Sequence, residues 1–257
     1  MKTIAIANQK GGIGKTTTAC ATASILVKKG YRVLMIDTDM QCNTTDVYKA
    51  ETNGVATIYD VVVEKGNAKT NINDAIQHTQ YGDIIASDRL LVDAETVLGA
   101  DKLNGLFRFQ EALKELKGYD FVIVDTNPVL NIMLYNVLIA VDYIVVPVTA
   151  DRFGVQGLSQ LVDTIISVKQ RYNQRINIAG LLIVKYKSRT NLGQTLKNDL
   201  EVISKELDTK LFDTTVRESV KVQEAQALQI PLIEHAPNSP VAQEYSNYVD
   251  ELLKGVN

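Results

Sequence analysis

The 257-residue chain is short of several residue patterns, and each shortage removes a class of function. Its two cysteines, Cys20 and Cys42, lack the close pairing of a metal or redox motif, which predicts two reduced thiols. Its two histidines, His78 and His235, have no neighbouring Ser, Cys or second His, so neither a hydrolytic triad nor a zinc site is expected. No run approaches the roughly 20 apolar residues that span a bilayer. The N-terminal apolar stretch is interrupted at Asn8, Gln9 and Lys10, too early for a signal-peptide core, so a cytoplasmic protein is expected. Internal repeats, low-complexity tracts and Pro/Gly/Ser linkers are also absent, and the expectation is a single domain over 1–257. Acidic residues are missing from one stretch. None lies between Asp163 and Asp199, where Lys169, Arg171, Arg175, Lys185, Lys187, Arg189 and Lys197 all fall, although the net charge of the whole is -3. An acidic body with one basic sector is a footprint for a polyanion.

What is present reads as a globular protein: hydrophobic residues are 46% and charged residues 22% of the chain, which excludes a disordered or membrane class. Apolar runs of strand length alternate with longer helical patterns, predicting an α/β fold with a mostly parallel central sheet. Strands are expected at 3–7, 32–36, 83–86, 121–124, 143–148 and 178–184, and helices at about 15–29, 94–116, 130–141, 155–171 and 192–207. Gly30 and Gly118 stand where the first two helices should stop. A last helix should start with Ser239 as cap and Pro240 at its first position, with Val241, Tyr245, Tyr248, Val249 and Leu252 on its inner face. The segment 40–82 is expected to be the least regular.

Three segments carry chemistry. The first is Gln9-Lys10-Gly11-Gly12-Ile13-Gly14-Lys15-Thr16-Thr17, between a strand and a helix. Glycines let consecutive backbone N–H groups point inward, and the following helix offers unpaired amides to phosphates. Lys15 should reach the β- and γ-phosphates and Thr16 should offer a hydroxyl to magnesium, so Gly11, Gly12, Ile13, Gly14, Lys15, Thr16 and Thr17 are the predicted ATP contacts. The second segment, Val33 to Asn43, places Asp37 and Asp39 at the carboxyl end of a strand, where carboxylates face the ligand crevice. The third, Phe121-Val122-Ile123-Val124-Asp125, is a hydrophobic strand ending in an aspartate placed to hold the magnesium shell beside Thr16.

The first segment departs from the general phosphate loop, with Gln9 in place of glycine and an extra lysine, Lys10. In both respects it resembles the deviant loop, K-G-G-x-G-K-[ST], of the ParA/MinD family of P-loop ATPases. The second segment is similar to that family's D-x-D-P-Q-G-N, with Met40 and Cys42 replacing proline and glycine, and the third to its D-x-P-P, with Asn127 replacing the first proline. Further likenesses run through Val146-Pro147-Val148, 157–161, 188–193 and 216–225, toward the ParA branch that includes Soj-type partition proteins.

The resemblance implies a three-layer α/β/α P-loop NTPase fold, ATP and Mg2+ as cofactors, and hydrolysis of ATP to ADP and phosphate. It implies that Lys10 reaches across a two-fold interface to the partner's nucleotide in an ATP-bridged homodimer, that Asp39 serves hydrolysis, and that Asp37 and Asp125 stand by the metal with Thr16. Lys10, Lys15 and Asp39 are thus the expected catalytic residues. It further implies non-specific DNA binding through Lys185, Lys187, Arg189, Arg217 and Lys221, and a ParB-type partner that stimulates turnover. Period-two spacing would put Lys185, Lys187 and Arg189 on one side of a persisting strand. Lys185 is also the candidate adenine contact. The chain begins almost at its first strand, so no operator-reading domain is expected there.

Within the family the alternatives differ in what the ATP state binds. The acidic C-terminus, Asp250 to Asn257, is short of the basic anchors of a MinD-type membrane helix, so no membrane partner is expected. Neither cysteine is placed to bridge a cluster as in nitrogenase iron proteins. The competing expectations are a MinD-like positioning ATPase for a protein or membrane cargo and a metabolic ATPase with a molecular acceptor.

Overall fold

In the computed structural model the described residues are 1–63, 70–149, 152–187, 191–206 and 208–256. Seven strands form one sheet: β1 (Lys2–Ile6), β2 (Val33–Asp37), β3 (Ile76–Thr79), β4 (Gly82–Ile85), β5 (Phe121–Asp125), β6 (Tyr143–Thr149) and β7 (Asn177–Val184). The order across the sheet is β3-β4-β2-β5-β1-β6-β7, parallel throughout except for β3, which pairs antiparallel with β4. The helices are α1 (Lys15–Lys28), α2 (Asn43–Tyr48), α3 (Ile58–Val62), α4 (Ala94–Ala100), α5 (Arg108–Glu115), α6 (Ile132–Ala140), α7 (Arg152–Arg171), α8 (Asn191–Glu206), α9 (Val220–Leu228), α10 (Leu232–His235) and α11 (Pro240–Val256).

Alternation along the strands builds two cores. Ala5, Leu34, Ile36, Val122 and Val124 face one layer, with side chains of α3 to α8. Ile4, Ile6, Met35, Phe121 and Ile123 face the other, with side chains of α1, α2 and α9 to α11. Strands covered on both faces are apolar at every position, which is why β2 and β5 read as unbroken hydrophobic runs closed by a single aspartate. The three-layer fold is the one expected.

Helix ends follow local chemistry. The chain leaves α1 through Gly30, at φ 91°, whose N–H donates to the Val27 carbonyl. Ser239 caps α11 through its Oγ, which accepts from the Ala242 N–H at 3.3 Å, and Val241, Tyr245, Tyr248, Val249 and Leu252 are buried against the body. No described helix is long and apolar enough to cross a membrane.

The expectations differ from the structure in several places. The helix expected over 94–116 is two helices. Asp101 Oδ1 accepts from the Leu103 and Asn104 amides, and its Oδ2 takes Arg108 Nη2 at 2.6 Å. Gly105 packs so closely that a Cβ there would lie 1.9 Å from the Leu98 carbonyl oxygen. That turn ends α4 and reorients α5. The described parts of segment 40–82, expected to be the least regular, contain α2, α3 and the unforeseen β3. The edge strand β3 has no apolar alternation, because Gln77 and His78 serve the solvent edge rather than a core.

Candidate phosphate-binding cleft

The turn after β1 is shaped by two glycines, Gly12 at φ 69° and Gly14 at φ 99°, a region that side chains with a Cβ rarely enter. Helix α1 then starts at Lys15 with Gly14 as N-cap, without a side-chain cap and without an acidic residue in its first turn. Its first amides are therefore left to an external acceptor, and the positive end of the helix dipole is not neutralised. Lys15 is only 7% exposed, and its Nζ donates to the Lys10 carbonyl at 3.2 Å. Burial pushes the Lys15 ammonium pKa down, against the opposing pull of Asp125 and Asp39.

Strand pairing supplies the carboxylates. Asp37 and Asp125 are register partners at the ends of β2 and β5, both fully buried. Thr16 Oγ1 and Thr44 Oγ1 each donate to Asp125 Oδ2 at 2.7 Å. Asp125 Oδ1 is buried and has no protein partner. Burial pushes both carboxyl pKa values up, Asp37 further through the charge of Asp125, and Asp125 further through Asp39. An orphaned buried carboxylate oxygen, on the group that the loop's threonine touches, is the donor set a hard cation such as magnesium accepts.

Asp37 stands differently. Its Oδ1 accepts from the Asp39 N–H at 3.0 Å, and its Oδ2 accepts from both the Thr45 N–H at 2.9 Å and Thr45 Oγ1 at 2.8 Å. Both Asp37 oxygens are engaged within the protein, whereas Asp125 Oδ1 is not. Asp39 Oδ1 accepts from the Gln41 N–H, and Asp39 lines the cleft.

The cleft is about 410 Å³, within the usual size of a small-molecule site. One wall is the loop and the start of α1. The opposite wall is Val222, Ala225 and Gln226 of α9 with the stretch from Gln229 to Leu232. Gln226 Nε2 donates to Thr17 Oγ1 at 3.1 Å, and Gln229 Nε2 to Asp46 Oδ2 at 3.2 Å, joining α9 to α1 and α2 across the cleft. Sequence reading missed this wall, and it missed Thr44 and Thr45. The available signals were the two threonines directly after the Asp37-Asp39 segment and the short apolar positions around Ala225.

The remaining expected residues are spread out. Lys10 Nζ donates to Thr149 Oγ1 at 3.0 Å, at the end of β6. The strand that would have carried Lys185 and Lys187 on one side does not persist to them: β7 ends at Val184 and Lys185 turns left-handed at φ 53°. Arg189 lies outside the described residues. Lys185 Nζ donates to the Gly12 carbonyl at 2.6 Å, Lys187 pairs with Glu218, Arg217 with Glu244 and Lys221 with Glu224. Neither histidine lines the cleft: His78 bonds Asp83, and His235 bonds Glu224. Both cysteines are free, and burial raises the pKa of each thiol, Cys42 to about 11, the opposite of a reactive thiolate.

A family profile described as an AAA domain matches residues 1–178. The chain is 33% identical over 255 residues to the sporulation initiation inhibitor protein Soj of Bacillus subtilis, covering 98% of both chains. It is 31% identical to the chromosome partitioning protein ParA of Caulobacter vibrioides over 98% of this chain and 94% of that one. Among solved structures, a plasmid partition protein of Borrelia burgdorferi superimposes with a TM-score of 0.76 at 29% identity, over 98% of each chain. With these relatives spanning nearly its whole length, the chain belongs to the ParA/MinD family of P-loop ATPases, as a partition-type ATPase of its Soj/ParA branch.

Proposed function

We propose that this single ATPase domain segregates DNA, switching between a DNA-bound dimer in ATP and a released monomer in ADP. ATP occupies the cleft with its phosphates on the amides of Gly11, Gly12, Ile13 and Gly14 and the first turn of α1, including Thr17. Lys15 neutralises the β- and γ-phosphates, and Asp39 orients the attacking water. Thr16 and Asp125 would hold magnesium, which when bound supplies charge neutralisation on the triphosphate, while Asp37 braces the Asp39 loop. The observation that carries this reading is the uncapped, acid-free start of α1 directly after the glycine turn, beside a carboxylate with one buried oxygen lacking a partner.

Two ATP-loaded copies close face to face, and each Lys10 leaves Thr149 for the partner's nucleotide. The dimer presents Lys187, Arg189, Arg217 and Lys221 of both copies to DNA without sequence preference, while Lys185 stays on the Gly12 carbonyl. Two weak surfaces held together gain affinity steeply, so dimerisation alone switches binding on. Hydrolysis, stimulated by a ParB-type centromere-binding protein, dissolves the dimer, which in ATP is associated with the nucleoid. Kinship with proteins named for chromosome partitioning supports this cargo.

A second reading has one observation in its favour. Lys187, Arg217 and Lys221 each lie beside a carboxylate, and a surface that mixes both signs of charge suits a protein partner as well as a polyanion. Binding to random-sequence duplex in Mg-ATP and in Mg-ADP, at two salt concentrations and with mass measured by light scattering, separates the two. Dimer-dependent, ATP-dependent and steeply salt-sensitive binding is the expected result. A dimer that ignores DNA would establish the protein-cargo reading, and equal binding in both nucleotides would overturn the switch. Lys10→Ala should abolish the ATP dimer, whereas Asp39→Ala should keep it and stop turnover.

A further inference from the structure

Lys185 is the first residue past β7, and its φ of 53° lies where Gly, Asn and Asp are at home and lysine is not. A residue held in that region points to surroundings that require it. Two contacts hold it. Just beyond, the Tyr186 N–H donates to the Val216 carbonyl at 3.0 Å, which pins the chain direction. From Lys185 itself, Nζ donates to the Gly12 carbonyl at 2.6 Å, joining positions 173 apart.

The other end of that bond is the centre of the phosphate turn. The peptide between Gly12 and Ile13 is planar and trans, so its carbonyl and the Ile13 N–H point in opposite directions. Drawing the carbonyl toward Lys185 aims the Ile13 N–H away from it. Glycine at position 12, at φ 69°, restrains this peptide less than a residue with a Cβ would, so an outside contact is needed to fix it. A second lysine does similar work at the start of the turn, where Lys15 Nζ holds the Lys10 carbonyl.

We propose that Lys185 is a positioning residue of the phosphate loop: its ammonium fixes the Gly12 carbonyl outward and thereby presents the Ile13 N–H to the phosphates, without touching the nucleotide. Its role as a DNA or adenine contact is not needed. The inference rests on nucleotide binding at the loop and is independent of the dimer and DNA readings.

Three variants of the full chain test it: Lys185→Met, which keeps the stem and loses the donor; Lys185→Arg, which keeps a donor; and Lys185→Gly, which is at ease at this φ but has no ammonium. Calorimetry with Mg-ADP and with Mg-ATP, steady-state kinetics and the melting temperature of the nucleotide-free protein are read for each. Lys185→Met should weaken both nucleotides by about tenfold, the size of one lost charge-assisted hydrogen bond. KM should rise while kcat stays within about twofold, as for an interaction shared by ground and transition states. Lys185→Gly should lose affinity equally despite its relaxed backbone, and Lys185→Arg should restore most of it. Unchanged nucleotide affinity in Lys185→Met overturns the proposal, whether the variant loses DNA binding, which would return the residue to the DNA surface, or only melting temperature, which would make it structural. Lys15→Ala serves as control: if that variant also binds Mg-ATP normally, the nucleotide reading of the loop has failed, and the role of Lys185 with it.

Discussion

The carboxylate end of the cleft and the basic sector handle charge in opposite ways. Asp37 and Asp125 are fully buried, adjacent, and raised in pKa, and one Asp125 oxygen has no partner at all. Lys187, Arg217 and Lys221 have side chains 69%, 54% and 51% exposed, and each has a carboxylate within 2.9 Å. A buried carboxylate oxygen without a hydrogen-bond partner is costly to the fold. An exposed ion pair is worth little, so its cation can change partners at small cost. The first region holds its charge inside the fold, and the second holds its charge in solvent-exposed pairs.

That contrast is broken most forcefully at the buried end. Lys15→Ala removes the buried ammonium proposed to meet the triphosphate, and Mg-ATP affinity should fall by about a hundredfold or more in calorimetry. Asp125→Asn comes next. Turnover should drop by about a hundredfold, while the nucleotide-free protein melts higher because a buried, repelled charge has been removed. A lower melting temperature for that variant would mean the carboxylate stabilises the empty fold, and the contrast would fail.

A smaller effect concerns pH. Because burial raises these two carboxyls, the folded empty protein keeps protons that the unfolded chain has already released. Stability contributed by the pair should therefore be full below the ordinary carboxylate range and fall as pH rises from about 4 to about 7. Thermal melts across that window should show the decline, and Asp125→Asn should flatten it. The smallest effects belong to the basic sector. Lys187→Ala and Arg217→Ala should each move the melting temperature by no more than about 2 °C. If the sector meets DNA, each should also reduce the salt slope of ATP-state binding by about one.

Legibility followed the range of the interactions. The glycine turn could be read directly, because left-handed backbone at Gly12 and Gly14 and an uncapped α1 are properties of a dozen consecutive residues. Strands β2 and β5 could be read too, since burial on both faces leaves a continuous apolar signature. The break between α4 and α5 was hidden, because helical periodicity persists across 94–116 while the Asp101 turn and the tight packing of Gly105 on Leu98 interrupt it. Strand β3 carried no signature, since none of Ile76, Gln77, His78 and Thr79 is fully buried and no core face imposes an alternation on them. The α9 wall was hidden for a different reason: Gln226 and Gln229 look like ordinary surface glutamines until Thr17 and Asp46 are set opposite them.

By itself the sequence determined the phosphate turn, the aspartates that end β2 and β5, and the alternation that makes a sheet covered on both sides, because each depends on neighbours a few positions away. Only the tertiary structure decided that Asp125 rather than Asp37 keeps an open oxygen, that Lys185 turns back to the loop, and that α9 closes the cleft. Those outcomes depend on which partner reaches each polar group first, as Thr16 reaches Asp125 across 109 positions. That competition is settled by packing, which no local pattern records.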